Sequence, residues 1–164
     1  MSTENEQNIS ETIRDYIGED TTKDKYLTFE VNEEDYGVEI IYIKEIISVC
    51  AITRVPHMPS YVKGIINLRG DIIPVIDVRE RFMIAPKEYD ELTCIVVIEN
   101  SGYILGLIVD NVKEVTFIDE SKVANTPNVK LKYHNQFIRN IGKMGSEDQE
   151  EVILLLNLEK VLME

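Results

Sequence analysis

The sequence predicts an all-β protein built from two similar subdomains. Two observations predict it. From Tyr26 onward the chain is a series of short Ile- and Val-rich runs of strand length, separated by turn residues. The two halves also repeat one another. Gly37, Lys44 and Glu45 align with Gly106, Lys113 and Glu114, with apolar residues at most places between. Upstream, Lys25–Val31 aligns with Thr93–Glu99. Downstream, Tyr61–Ile65 aligns with Phe137–Ile141, and Ile72–Phe82 with Val152–Leu162, setting Asp77 opposite Asn157. Self-similarity on this scale means one supersecondary unit used twice, here about five short strands per unit.

Residues 1–24 precede the repeat and are read as a mostly disordered acidic tail. Ile9, Ile13, Tyr16 and Ile17 fall at helical spacing, but isolated helices this short are marginal in water. The folded part spans 25–164, with subdomain one at 25–87 and subdomain two at 88–164. Tyr26–Val31 alternates as a half-buried strand, and Asn32–Asp35 is a turn. Tyr36–Ile43 reads as a second strand and Glu45–Ile52 as a third. Pro56 and Pro59 break the pattern, since proline cannot donate to a ladder. Tyr61–Gly64 reads as a helical turn.

A β-hairpin follows. Two apolar runs flank Arg69-Gly70-Asp71, a tight turn in which glycine is free to take positive φ. Asn67 and Arg69 sit at its tip, as a recognition element or a structural tie. Thr93–Glu99, Tyr103–Asp110 and Val112–Ile118 are strands, and 119–136 is a long polar loop. Phe137–Met144 is a short hydrophobic element interrupted by Gly142. Val152–Asn157 is a strand, and Leu158–Met163 a terminal helical turn. The second half has no counterpart of Asn67-Leu68-Arg69-Gly70, which raises the weight of a partner role for Arg69, or of a structural tie that shapes a partner surface.

Composition narrows the function. The 164 residues are 44% hydrophobic and 29% charged, those of a soluble globular protein. The net charge of −13 opposes a nucleic-acid backbone or an anionic membrane. There is no membrane span and no secretory signal in the opening residues. Cys50 and Cys94 both lie in apolar runs and read as buried, reduced thiols. His57 and His134 are isolated, so no metal site is expected. No phosphate loop or nucleophile elbow occurs, and nothing singles out a catalytic pair of acids. No enzyme, cofactor or small-molecule substrate is expected.

The stretch Lys63 to Phe82, KGIINLRGDIIPVIDVRERF, resembles the signature of the CheW family, the chemotaxis adaptors that couple chemoreceptors to the histidine kinase CheA. The resemblance extends more weakly over 26–162. It implies two five-stranded, SH3-like barrels packed together, with short helical turns, and a cytoplasmic adaptor at the receptor arrays. It places receptor binding in a groove between the subdomains, with contributions from Ile40, Ile43, Glu45, Arg69, Val97 and Val109. Glu45 and Arg69 have opposite charge and are positioned to pair. Contact with the CheA regulatory domain is implied near Val55, Pro56, Met58 and Lys63, with a further contact near Val129. The alternatives are a scaffold of a non-flagellar chemosensory pathway and, on weaker grounds, a small-barrel nucleic-acid binder, which needs a basic strip with exposed aromatics.

Overall fold

A computed structural model describes residues 2–17, 22–125, 135–146 and 148–162. Among them the fold is mostly β. The strands are β1 (Lys25–Val31), β2 (Glu34–Glu39), β3 (Ile43–Ser48), β4 (Val62–Leu68), β5 (Asp71–Asp77), β6 (Cys94–Asn100), β7 (Tyr103–Val109), β8 (Asn111–Phe117), β9 (Val123–Asn125), β10 (Ile138–Ser146) and β11 (Gln149–Leu156). Three helices accompany them: α1 (Ser2–Ile17), α2 (Val78–Arg81) and α3 (Leu158–Leu162). One sheet has the order β8-β1-β2-β11-β10-β9 and the other β3-β6-β7-β5-β4.

These two orders are one order written twice. Matching β1, β2, β3, β4 and β5 of the first repeat to β6, β7, β8, β10 and β11 of the second turns one sheet into the other, with β9 added. Each half therefore lends its leading hairpin to the other half's sheet. The joins are parallel and equivalent. Gly37 of β2 lies opposite Leu155, and Gly106 of β7 opposite Val75. A Cβ on Gly37 would meet Leu155 Cδ2 at 2.9 Å, and one on Gly106 would meet Ile95 Cγ2 at 2.6 Å. Gly37 is thus closely packed across its join, and Gly106 against Ile95 of the neighbouring strand β6. A division of the chain at residue 87 does not follow the sheets. The five-stranded sheet runs from Ile43 to Val109, and the six-stranded sheet takes the hairpin before it and the strands after it.

Strand alternation sorts the apolar residues into three cores. Ile66, Ile73, Val75, Ile95, Val97 and Ile108 fill the five-stranded sheet's own curl. Ile118, Ile153 and Leu155 fill the other's. The largest core lies between the sheets and includes Leu27, Phe29, Val38, Val96, Leu107, Val109 and Leu154. An aromatic row runs through it. Phe29 stacks on Tyr36 at 5.9 Å, Tyr36 meets Phe82 at 5.5 Å, and Phe82 stacks on Phe137 at 4.9 Å. Strands apolar on both faces, such as β6, thus have one face in a sheet's own core and the other between sheets.

Several local readings change. Ile40–Tyr42 is a 3-10 turn, not strand, so the register of Tyr36–Ile43 is interrupted. Val62 to Gly64 open β4 rather than belonging to a helical turn. Beyond β3 the chain bends, and Thr53 exchanges both backbone hydrogen bonds with Ile65 of β4, at 2.8 and 2.9 Å. This bridge curls the five-stranded sheet back on itself. Gly142 does not interrupt β10, which runs through it. Within 119–136 the structure describes a 3-10 turn and β9, followed from Asn135 by another short 3-10 turn.

The largest difference is at the N-terminus. The sequence predicted a mostly disordered tail over 1–24, but residues 2–17 form α1. Ile9 and Ile13 are 7% and 2% exposed, in the same cluster as Ile40, Ile43 and Ile46. The helix exists because it packs across β3 and β8. Tertiary burial supplies what propensity in water does not.

Candidate functional site

The hairpin tip is built by its own backbone. Arg69 and Gly70 form a two-residue loop, with Leu68 paired to Asp71. Their φ values are +51° and +92°, the signs a type I′ turn requires. Asn67 Oδ1 accepts from the Gly70 amide at 2.9 Å. Asn67 is therefore the tie that holds the turn, which frees Arg69 for another role. Arg69 projects to Glu45 of β3 and forms an ion pair with it through Nη2 and Oε2. The pair expected from the sequence is present. It is asymmetric: the Arg69 side chain is 69% exposed and that of Glu45 only 13%. The carboxylate is seated and the guanidinium is presented, with donor capacity left for a carboxylate or carbonyl of a partner.

Four residues predicted to line a groove lie in the interior instead. Ile40 and Ile43 are 0% and 2% exposed, in the core between the sheets. Val109 joins them there, while Val97 points into the five-stranded sheet's own core. For Val97 and Val109 the physical reason is strand alternation, since Val96 and Ile108 beside them fill the other core. Ile40 and Ile43 are turned inward around the 3-10 turn at Ile40–Tyr42. On the 3-10 turn the exposed side chain is Ile41, at 62%.

The second predicted surface is more open. Val55 is half-buried, and Pro56 and Met58 are exposed. They share a depression with Lys63, which pairs with Glu80 of α2. His57 lies in the same exposed loop. Val129 and His134 lie outside the described residues. Cys94 is buried as expected, but Cys50 is exposed, because the run after β3 bends out to the Thr53 bridge. Among the described residues no three His, Cys, Asp or Glu side chains gather as a metal centre. No described helix is long and apolar enough to cross a membrane.

The end of the signature stretch, Asp77-Val78-Arg79-Glu80-Arg81, is scaffold. Asp77 caps α2 through the Arg79 and Glu80 amides, at 2.9 and 3.4 Å, and accepts from the Tyr89 hydroxyl at 2.6 Å. The Arg81 guanidinium lies 4.3 Å from the Tyr61 ring centre and 4.8 Å from that of Phe137. Those two rings are matched positions of the repeat, so one cation links the two halves. It also donates to the Val161 and Lys160 carbonyls at the end of α3.

Arg79 clamps Asp110 through Nε and Nη2, at 2.9 and 2.8 Å. Asp110 also accepts from the Asn32 amide at 2.9 Å. Burial pushes the Asp110 carboxyl up, but the Arg79 hydrogen bonds, the Asn32 amide and the positive charges of Arg79 and Lys87 together outweigh this and hold it below the usual carboxylate range. A carboxyl lowered in the folded state stabilises above the unfolded value, about 4, and loses that contribution as pH falls below it. Asp110→Asn is therefore expected to be less stable than wild type at neutral pH, with the gap closing in acid. Urea unfolding at both pH values checks this, and a gap of constant size would refute it.

Sequence reading missed Glu6. Its side chain is 6% exposed on the inner face of α1. It accepts from the Ser48 hydroxyl at 2.9 Å and the Cys94 thiol at 3.2 Å. Burial, with Glu6 as acceptor, pushes that thiol up to about 12. Only the spacing from Glu6 to Ile9 and Ile13 signalled this contact.

Comparison with known proteins agrees with this architecture. The family model described as CheW-like domain matches residues 25–164. The chemotaxis protein CheW of Klebsiella aerogenes is 30% identical over 151 residues, covering 92% of this chain and 88% of its own. The chemotaxis protein CheW of Bacillus subtilis is 35% identical over 106 residues, covering 65% of this chain and 68% of its own. The crystal structure of the scaffolding protein TtCheW from Thermoanaerobacter tengcongensis is similar with a TM-score of 0.77 at 35% identity, over 86% of this chain and 93% of that one. With its signature hairpin, its repeated sheets and a domain match over nearly all of its folded length, this chain belongs to the CheW family.

Proposed function

We propose that this chain is a non-enzymatic cytoplasmic adaptor that couples chemoreceptor signalling tips to the histidine kinase CheA. It works by binding and positioning. The receptor contact is assigned to the face around Glu45 and Arg69. The CheA regulatory domain is assigned to the depression around Val55, Pro56, Met58 and Lys63, with Val129 as a further contact. Ile40, Ile43, Val97 and Val109 act from beneath, by fixing the two sheets that carry these surfaces.

The observation that carries the reading is the presented guanidinium of Arg69. A rigid two-residue turn holds its backbone, and a seated carboxylate aims its side chain without consuming it. Such a group gives orientation and specificity to a modest interface. Modest single contacts suit an adaptor that acts in arrays of many sites.

Arg69→Ala tests it. An ion pair with so exposed a cation contributes under about 1 kcal/mol to stability, so the variant is expected to fold as wild type does. A central interface arginine is worth about 2 kcal/mol, so affinity for a receptor signalling fragment is expected to fall roughly 30-fold. Co-sedimentation with circular dichroism of both proteins measures the two together. A folded variant that binds as well as wild type would remove Arg69 from the receptor surface.

A further inference from the structure

The N-terminal helix occupies ground between the two sheets. α1 packs on β3, on β8 and on the 3-10 turn between β2 and β3. β3 and β8 are matched strands of the repeat, and each is the end strand of its sheet. The seat of α1 is therefore the seam where the two repeats meet. On β3, Ile47 points into the sheet's own core, while Ile46 faces the cluster that holds Ile9 and Ile13. Ser48 and Cys94 complete the seat as neutral donors to Glu6.

The contact is built to be weak. Among the described side chains of α1, Ile9 and Ile13 supply its apolar grip. A carboxylate is buried with it, on a hydroxyl and a thiol, and burying an acid on neutral donors is unfavourable relative to water. A cleft remains between α1 and β3, lined on one side by Gln7, Ser10 and Glu11 and on the other by Glu45, whose carboxylate is paired with Arg69. The helix gains little from its own propensity at this length. Glu45, which seats the Arg69 guanidinium, is thus also part of the wall that α1 adjoins.

We propose that α1 is a displaceable cover over the β3–β8 seam, and that the seam beneath accepts an amphipathic partner helix in its place. The cover is the template for that partner: a helix presenting two branched apolar residues at the spacing of Ile9 and Ile13. Release of α1 uncovers Ile46 and its neighbours beside the Glu45–Arg69 pair, joining the apolar strip to the presented guanidinium. This inference rests on the adaptor reading above, and it assigns to the receptor site a competitor carried on the same chain.

The test uses the full-length chain and a chemoreceptor signalling-tip fragment, titrated by calorimetry. Ile9→Asp with Ile13→Asp removes the grip and is expected to tighten binding about tenfold, since a site covered most of the time binds with its affinity reduced by the open fraction. Glu6→Gln removes the buried charge while keeping the shape. It is expected to hold the cover more firmly and to weaken binding about threefold. A synthetic peptide of residues 2–17 is expected to compete with the fragment on the double variant. Opposite signs for the two variants support the inference. Equal binding by all three proteins, or weaker binding by a double variant that melts as wild type does, overturns it and leaves the adaptor reading standing. Binding by none of them overturns both.

Discussion

Gly64→Ala is expected to cost at least about 3 kcal/mol, enough to unfold much of the population of a marginally stable domain. Two independent penalties meet at this residue. Its φ is +147°, which a side chain resists. A Cβ there would lie 2.1 Å from the Thr53 carbonyl oxygen and 2.8 Å from its carbon. Both are backbone atoms, so neither moves without breaking the Thr53–Ile65 bridge that curls the five-stranded sheet. The control is Gly70→Ala in the same hairpin. Gly70 also has positive φ, +92°, but nothing lies within 4 Å of the added Cβ. It is expected to cost about 1 kcal/mol, the backbone strain alone. Urea unfolding of both variants measures the difference, and equal costs would mean that the close approach to Thr53 is not what requires glycine at 64.

Phe82→Ala is expected to lose about 3–5 kcal/mol, the range for deleting a buried aromatic ring. Phe82 is 0% exposed and touches Tyr36 on one side and Phe137 on the other. Phe82 follows β5 of the five-stranded sheet through α2, whereas Tyr36 lies on β2 and Phe137 leads into β10, both strands of the six-stranded sheet. The cavity therefore opens between the sheets rather than inside either, and both should loosen together. A single unfolding transition, shifted to lower denaturant, is the expected result. Phe82→Leu fills part of the space and should recover a good share of the loss. Two separated transitions in Phe82→Ala would show that the sheets unfold independently and that the aromatic row does not join them.

Much of this was readable in the sequence because it is local. The turn at Arg69-Gly70 follows from a glycine between two strand-like runs, and the Glu45–Arg69 pair from opposite charges on elements the family resemblance placed together. The repeat was readable because matched residues keep matched spacing. The exchange of hairpins was not. A strand that pairs within its half and one that pairs across it have the same alternation, so pattern alone does not choose between them. Ile40 and Ile43 illustrate a different limit. The family resemblance placed them in the groove by their position along the chain, whereas the 3-10 turn at Ile40–Tyr42 directs them into the core. For α1, Ile9 and Ile13 were visible at helical spacing, yet the energy that holds the helix comes from β3 and β8, far along the chain. Cys50 shows the same dependence, because its exposure follows from the bend toward Thr53.

The central claim is that one chain holds both receptor and kinase. Analytical ultracentrifugation of receptor signalling fragments, CheA and this protein tests it most directly. The expected result is a complex containing all three components that does not assemble when this chain is omitted. A chain that sediments alone in the presence of both partners would contradict the account, and would leave the family likeness as a statement about fold.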